Sequence, residues 1–222
     1  MAQENVRDQI VDVYNKRAKN YDLTANLYYL LGYPEWKYRR LAVEALRLQP
    51  GDTVVEIGCG TGLNFKLYQE RIGPAGRIIG VDLTAAMLEQ ARQRIEDEGW
   101  ENVELLHQDA LTYNFPTEVD AVTSTFALSL IPEAPAIIRR AAGALAEGGR
   151  IAMADLQIPA SWPDWLTAAA LAIVRPFAVT DEWVERRPWP AIQATMRELL
   201  KNVALNTYYL NTTYIISGEA RR

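Results

Sequence analysis

The sequence predicts an α/β protein built on a doubly wound, mostly parallel sheet, and three observations lead there. Between residues 50 and 156 short apolar runs suited to buried strands alternate with segments of helical spacing. Glycines cluster directly after the first run, and each of the first three runs carries an acidic residue at its end. The chain has 222 residues, 49% of them hydrophobic, enough for one domain with a substantial core.

The elements follow in order. Val6, Ile10, Val13 and Arg17 fall at helical spacing, so an amphipathic helix is expected over 4–18. The chain breaks at Gly32-Tyr33-Pro34, and EWKYRRLAVEALRL reads as a second helix that stops before Pro50-Gly51-Asp52. TVVEIG is then the first strand, LNFKLYQERI a helix, RIIGVD the second strand and AAMLEQARQRIEDEG the helix after it. VELLHQD, VDAVTSTFAL and RIAMADL supply further strands, with IIRRAAGALAEGG as a helix before the last of these. After Leu156 the rhythm changes: residues 157–198 hold Pro159, Pro163, Pro176, Pro188 and Pro190 among four tryptophans. Strand-like alternation returns in VALNTYYL and TTYIISGEA, with Asn211 as the turn. The expected organisation is a helical cap over 1–49, a core over 50–156, an inserted helical lid over 157–198, and strands over 199–222 that complete the sheet.

Composition narrows the function. A net charge of -5 speaks against nucleic acid as the main ligand, because a phosphate-tracking surface needs clustered Lys and Arg. One cysteine and one histidine leave no internal disulfide and no His/Cys zinc site, so no metal is expected. The opening MAQENVRDQI lacks the apolar core of a secretory signal, and no apolar stretch reaches the about 18 residues of a membrane span, so a cytoplasmic protein is expected.

The chemistry concentrates at the strand ends. In VVEIGCGTG the glycines Gly58 and Gly60 let the backbone turn sharply and approach a ligand closely. No Lys followed by Ser or Thr is present, which excludes a nucleoside-triphosphate loop. Glu56 ahead of the loop suits a ligand with a positive amino group and a sulfonium better than one with a pyrophosphate. Asp82, closing RIIGVD, is placed to accept both hydroxyls of a ribose, although it is also positioned to cap the next helix in competition with Thr84. Asp109 and Ala110 follow the third strand, where an acid takes the amino group of a purine and a backbone N–H meets its ring. Thr125, near the end of the fourth strand, belongs to the same edge.

Taken together, VVEIGCGTG, VDLTAAMLEQAR, HQDA, VDAVTSTFALSLIP and LAEGGRIAMADL resemble the successive motifs of the class I S-adenosylmethionine-dependent methyltransferases. Arg17, Tyr21 and Asp22 in YNKRAKNYDLTANLYYLLG are similar to the Arg-Ala…Tyr-Asp segment of the ubiquinone/menaquinone C-methyltransferases, and the continuation resembles bacterial phospholipid and diacylglyceryl-homoserine N-methyltransferases. The resemblance implies a Rossmann-like seven-stranded sheet with its last strand antiparallel, and S-adenosyl-L-methionine as cofactor. It implies cofactor binding by Glu56, Gly58, Gly60, Asp82 and Asp109, with Leu83 and Met87 near ribose and adenine and Tyr21 over the methionine end. The segment 157–198 matches no substrate motif.

Methyl transfer from a sulfonium asks a protein mainly to align three atoms and exclude water, so the lack of a triad is no objection. The catalytic candidates are Tyr21 and Asp155, the latter at the end of IAMADL facing the crevice; His107 is a weaker one. Tyr14, Tyr21, Tyr28 and Tyr29 would suit a methylated ammonium through cation–π contact. In ASWPDWLTAAALAIVRPFAV, Trp162, Leu166, Ala169, Ile173 and Phe177 share a face of a helix apolar nearly all round, which is expected to be buried. Nearby Arg175, Arg186 and Arg187 suit a lipid headgroup surface. The expected acceptor is a small molecule or lipid, first of all a headgroup amine, alternatively a prenylated quinone ring methylated at carbon or a soluble small molecule methylated at nitrogen or oxygen; peripheral contact with a membrane is compatible with the first two.

Overall fold

The computed structural model describes residues 11–15, 18, 32–174 and 179–221, apart from the side chains of 172–174. Residues 11–15 are helical, within the first predicted helix. Then come α1 (Glu35–Leu46), β1 (Thr53–Ile57), α2 (Phe65–Ile72), β2 (Arg77–Asp82), α3 (Ala85–Glu98), β3 (Val103–His107) and β4 (Val119–Thr125). A 3-10 turn over Leu128–Leu130 leads to α4 (Ala134–Ala144) and β5 (Leu145–Leu156). The chain closes with α5 (Asp164–Val174), α6 (Asp181–Arg186), α7 (Pro188–Leu199), β6 (Leu200–Tyr208) and β7 (Thr213–Ala220).

The seven strands form one sheet in the order β3-β2-β1-β4-β5-β7-β6. β1 to β5 are parallel, and β7 runs antiparallel to both β5 and β6. This is the predicted Rossmann-like sheet with its last strand reversed. The strand order turns back on itself between β1 and β4, and the carboxyl ends of those strands open a crevice there.

Alternation along the strands assigns the two faces. Val54, Ile78, Ala121 and Ala152 pack with Val43 and Leu46 of α1, Phe65, Tyr68 and Ile72 of α2, and Leu88 and Ala91 of α3. Val55, Ile79, Val122, Ile151 and Ile216 face the opposite way, onto Ile137, Ile138 and Ala141 of α4 and Trp189, Ile192 and Met196 of α7. Both faces of the central strands are therefore covered, which is why those strands read as continuous apolar runs.

Three expectations change. VDAVTSTFAL is strand only to Thr125; the rest turns back as the Leu128–Leu130 element. Within 157–198, α7 packs against α4, β6 and β7 as the crossover helix of the sheet, while α5 and α6 lie before it. The third concerns α5. Trp165 is 71% exposed, Ala168 and Ala169 are exposed, and Leu171 is the buried residue among its described side chains. The apolar helix lies on the surface, because the core face it would need is already taken by α4 and α7.

Candidate active site

A cavity opens at the carboxyl ends of β1 to β4. Its walls are the loop Gly58–Thr61 after β1, Asp82–Thr84 after β2, Gln108–Ala110 after β3, and Thr125–Ala127 with Leu130–Pro132 after β4. Met87 from α3, Arg39 from α1 and Tyr14 complete it.

The loop after β1 keeps this space open because of what its glycines lack. Gly58 sits at φ 68°, and a Cβ there would lie 2.4 Å from Ala127 Cβ, so the loop and the β4 turn touch backbone to side chain. Gly60 also has positive φ, and its N–H donates to Asp82 Oδ2 at 2.8 Å. Asp82 Oδ1 accepts the Thr84 N–H at 2.8 Å. Asp82 thus ties the two loops together, with a backbone N–H on each oxygen and the Thr84 hydroxyl as a further donor. An ionised carboxylate has about four acceptor positions, so capacity for hydroxyl donors remains. Burial raises its pKa, and the N–H groups of Thr84 and Gly60 pull the other way. Thr84 begins α3 without a side-chain cap, so the Asp82 carboxylate does serve that helix start.

Leu83, Met87, Asp109, Ala110 and Thr125 line the cavity as well. Asp109 Oδ1 accepts the Leu111 N–H at 2.8 Å and so shapes the turn that presents Ala110. Thr125 Oγ1 accepts from Asn64 Nδ2 at 2.8 Å and from Arg39 at 2.6 Å.

Glu56 is not a wall residue. It is 1% exposed and lies behind Asn64, whose Nδ2 donates to Oε1. The Tyr68 hydroxyl, also buried, is its other side-chain neighbour. Burial pushes this carboxyl up to about 7, opposed by the Asn64 hydrogen bond and the Arg39 charge.

Asp155, expected at the crevice, is closed off from it. It is 3% exposed and does not line the cavity. Its Oδ2 accepts the Ser129 N–H at 2.8 Å, and Oδ1 accepts the Ser129 hydroxyl at 2.7 Å and the Leu156 N–H at 2.8 Å. The carboxylate holds the Leu128–Leu130 turn. Burial raises it to about 6, with the Ser129 and Leu156 donors pulling it down. His107 is exposed outside the cavity, its Nε2 2.9 Å from the Leu83 carbonyl. Tyr21, with Arg17, Asp22, Tyr28, Tyr29 and Arg175, lies outside the described residues. Arg186 turns inward, donating to the carbonyls of Ser129 at 2.9 Å and Leu130 at 3.1 Å. Trp183 is buried, its Nε1 donating to Ser129 Oγ at 3.2 Å.

Sequence reasoning missed Arg39, Asn64 and Ser129. Arg39 had a signal: it lies three and four residues before Ala42 and Val43, a charge on the buried face of α1. Among the described residues no group of His, Cys, Asp or Glu could hold a metal ion. No described helix is long and apolar enough to cross a membrane.

The residues present fit a methionine-bearing nucleoside: acids along one end, an apolar middle and a cation at the other end. The comparisons with known proteins agree. The family described as methyltransferase domain matches residues 54–149. The 2-phytyl-1,4-naphthoquinone methyltransferase of Thermosynechococcus vestitus is 31% identical over 164 residues, covering 71% of each chain. The demethylmenaquinone methyltransferase of Listeria welshimeri is 29% identical over 163 residues, 73% of this chain and 68% of that one. The aklanonic acid methyltransferase of a Streptomyces species is 30% identical over 154 residues, 68% and 67%. Among solved structures, a SAM-dependent methyltransferase from Aquifex aeolicus superposes with a TM-score of 0.59 at 16% identity, covering 86% of this chain and 96% of that one. Phosphoethanolamine N-methyltransferase 2 of Haemonchus contortus, in complex with phosphomonomethylethanolamine and S-adenosylhomocysteine, gives 0.65 at 15% identity over 84% of this chain and 53% of that one. These two share the fold.

The chain belongs to the class I S-adenosylmethionine-dependent methyltransferases. It is an enzyme, and its cofactor is S-adenosyl-L-methionine.

Proposed function

We propose that this methyltransferase acts on a carbon of an apolar ring, a quinol bearing a hydrocarbon tail, with the cofactor laid along the carboxyl edge of the sheet. In that arrangement Asp82 holds the ribose, Asp109 and Ala110 the adenine, Leu83 and Met87 its faces, and the Gly58–Gly60 backbone the middle. Glu56 faces the amino group through Asn64. Tyr21 covers the methionine end, on the strength of the sequence resemblance. The cofactor supplies an electrophilic methyl group, and the chain aligns the acceptor with it and keeps water out.

The observation that carries the acceptor class is the wall after β4. Phe126, Ala127, Leu130, Ile131 and Pro132 are apolar throughout, and the acids of the cavity, Asp82 and Asp109, stand at its other end. An ammonium acceptor would need an anion beside it to offset its lost hydration. A ring does not. The named activities of the Thermosynechococcus and Listeria relatives support the same choice over the headgroup amine that the sequence favours.

The test is incubation with methyl-labelled cofactor and, separately, a reduced 2-prenyl-1,4-naphthoquinone and phosphatidylethanolamine vesicles. Label in the naphthoquinol is the expected result; label in the phosphatidylethanolamine alone would restore the amine reading.

An acceptor with such a tail resides in lipid, and the exposed Trp165 on apolar α5 supports peripheral contact with a membrane. The protein is expected to sediment with phospholipid vesicles, and Trp165→Ser to reduce the bound fraction several-fold. Equal sedimentation of both would remove α5 from the contact.

A further inference from the structure

Between the parallel strands β5 and β6 a sheet needs one crossover helix, and α7, with 12 residues, is that helix. The segment 157–187 ahead of it, with α5 and α6, is not required to close the sheet. Yet α6 sends two side chains to a single residue at the carboxyl edge. Trp183 Nε1 donates to Ser129 Oγ at 3.2 Å, and Arg186 Nη2 to the Ser129 carbonyl at 2.9 Å. From β5, Asp155 accepts the Ser129 N–H at 2.8 Å and its hydroxyl at 2.7 Å. Every polar group of Ser129 is therefore held by a side chain from another element.

The turn around Ser129 has little to hold it by itself. Leu128–Leu130 is one 3-10 turn, and Ala127 at its N-cap offers no side-chain oxygen. Asp155 takes over that capping duty from 26 positions along the chain. It is a costly cap, since burial raises this carboxyl to about 6, and apolar packing of the turn would avoid the lost hydration. What a polar clamp with four directed hydrogen bonds adds is a fixed position. That position matters at both ends of the turn. Ala127 lies against Gly58 of the loop after β1, and Leu130, Ile131 and Pro132 line the cavity. Ser129, at 2% exposure, lies behind them and outside the lining.

We infer that Ser129 is a positioning residue for methyl transfer: through it α6 and β5 set where Leu130–Pro132 stand, and so the angle at which the acceptor meets the methyl group. This rests on the acceptor lying against the wall after β4, as proposed above. In-line displacement needs acceptor atom, methyl carbon and sulfur aligned, and a misplacement of about 1 Å can cost about 100-fold in rate. The segment 157–187 thereby has a part in acceptor recognition that closing the sheet does not ask of it.

Ser129→Ala and Trp183→Phe, singly and together, test the inference; the second keeps a ring in place and removes the indole N–H. Each variant is read by calorimetric affinity for S-adenosylmethionine, by melting temperature, and by kcat and KM on whichever acceptor wild type methylates, the naphthoquinol or phosphatidylethanolamine. Ser129→Ala is expected to lower kcat/KM for the acceptor about tenfold and to keep cofactor affinity within about twofold. Trp183→Phe should lower it about threefold, and the double variant should be no worse than Ser129→Ala, because both changes break one link. A merely structural serine would lower the melting temperature and leave kcat/KM as in wild type, which overturns the assignment. So does a cofactor affinity that falls by the same factor as kcat/KM, or effects that multiply in the double variant. Should Ser129→Ala fail to fold, Trp183→Phe decides alone, since it leaves the Asp155 clamp intact: a threefold loss with cofactor affinity kept supports the role, and no change overturns it. Label in phosphatidylethanolamine alone would replace the acceptor class and leave this test in force. A wild-type protein that methylates neither acceptor would remove the acceptor from this wall, and the role of Ser129 with it.

Discussion

Glu56 illustrates how burial of a single side chain carries a cost in stability. Its carboxyl is buried behind Asn64, and the loss of hydration raises its pKa from 4.5 to about 7. Between those values the folded protein holds a proton that the unfolded chain releases. The buried charge therefore costs stability in full above about pH 7, and the cost fades as pH falls toward 4.5. Glu56→Gln keeps an oxygen for the Asn64 amide and removes the charge. We expect its melting temperature to exceed wild type by about 3–6 °C at pH 8, with a smaller difference at pH 5.5. A difference independent of pH would show that Glu56 does not titrate between pH 5.5 and 8, against the raised pKa. Asp82 has a different balance, because two backbone N–H groups compensate part of its burial.

At the scale of elements, the wall of the cavity after β4, the side proposed for the acceptor, is a short turn held from behind. Leu130, Ile131 and Pro132 face the cavity, while Ser129 is gripped by Asp155 from β5 and by Trp183 and Arg186 from α6. The position of α6 is thereby coupled to the shape of the wall. Arg186→Ala leaves the Ser129 and Leu130 carbonyls without that donor, a loss of about 1–3 kcal/mol that urea unfolding would detect. Cofactor affinity is expected to stay within twofold, since Arg186 is absent from the cavity wall. A tenfold loss of cofactor affinity would mean that α6 also shapes the nucleoside end.

For the whole molecule, the cavity proposed to hold the cofactor is assembled from four strand ends, α1 and α3, elements brought together only in the folded sheet. A ligand that bridges so many of them binds the native state and not the unfolded chain. At a concentration of about 100 times its dissociation constant it should add about 2.7 kcal/mol, or about 5–10 °C in melting temperature for a chain of this length. S-adenosylmethionine and S-adenosylhomocysteine are both expected to give this shift in a thermal scan, and NAD none. A shift with NAD alone would reassign the cavity.

What the sequence determined by itself is what depends on neighbours close along the chain. The strand runs, the glycine loop, and the acids at the ends of β2 and β3 are local patterns, and they carried both the sheet and the acidic end of the cavity. The reversal of β7 came from resemblance, since alternation reports a strand and not its direction. The tertiary structure decided whatever depends on distant segments. Arg39 meets Thr125 across 86 positions and Asp155 meets Ser129 across 26. Helical spacing could place Arg39 on the buried face of α1 but could not show which strand end lay opposite. Asp155 stands at a strand end like Asp82, yet a turn folds over it, and α5 is apolar yet lies outside because other helices already fill the sheet's face. Burial and partnership are properties of packed neighbours, so those roles became visible only once the chain had folded back on itself.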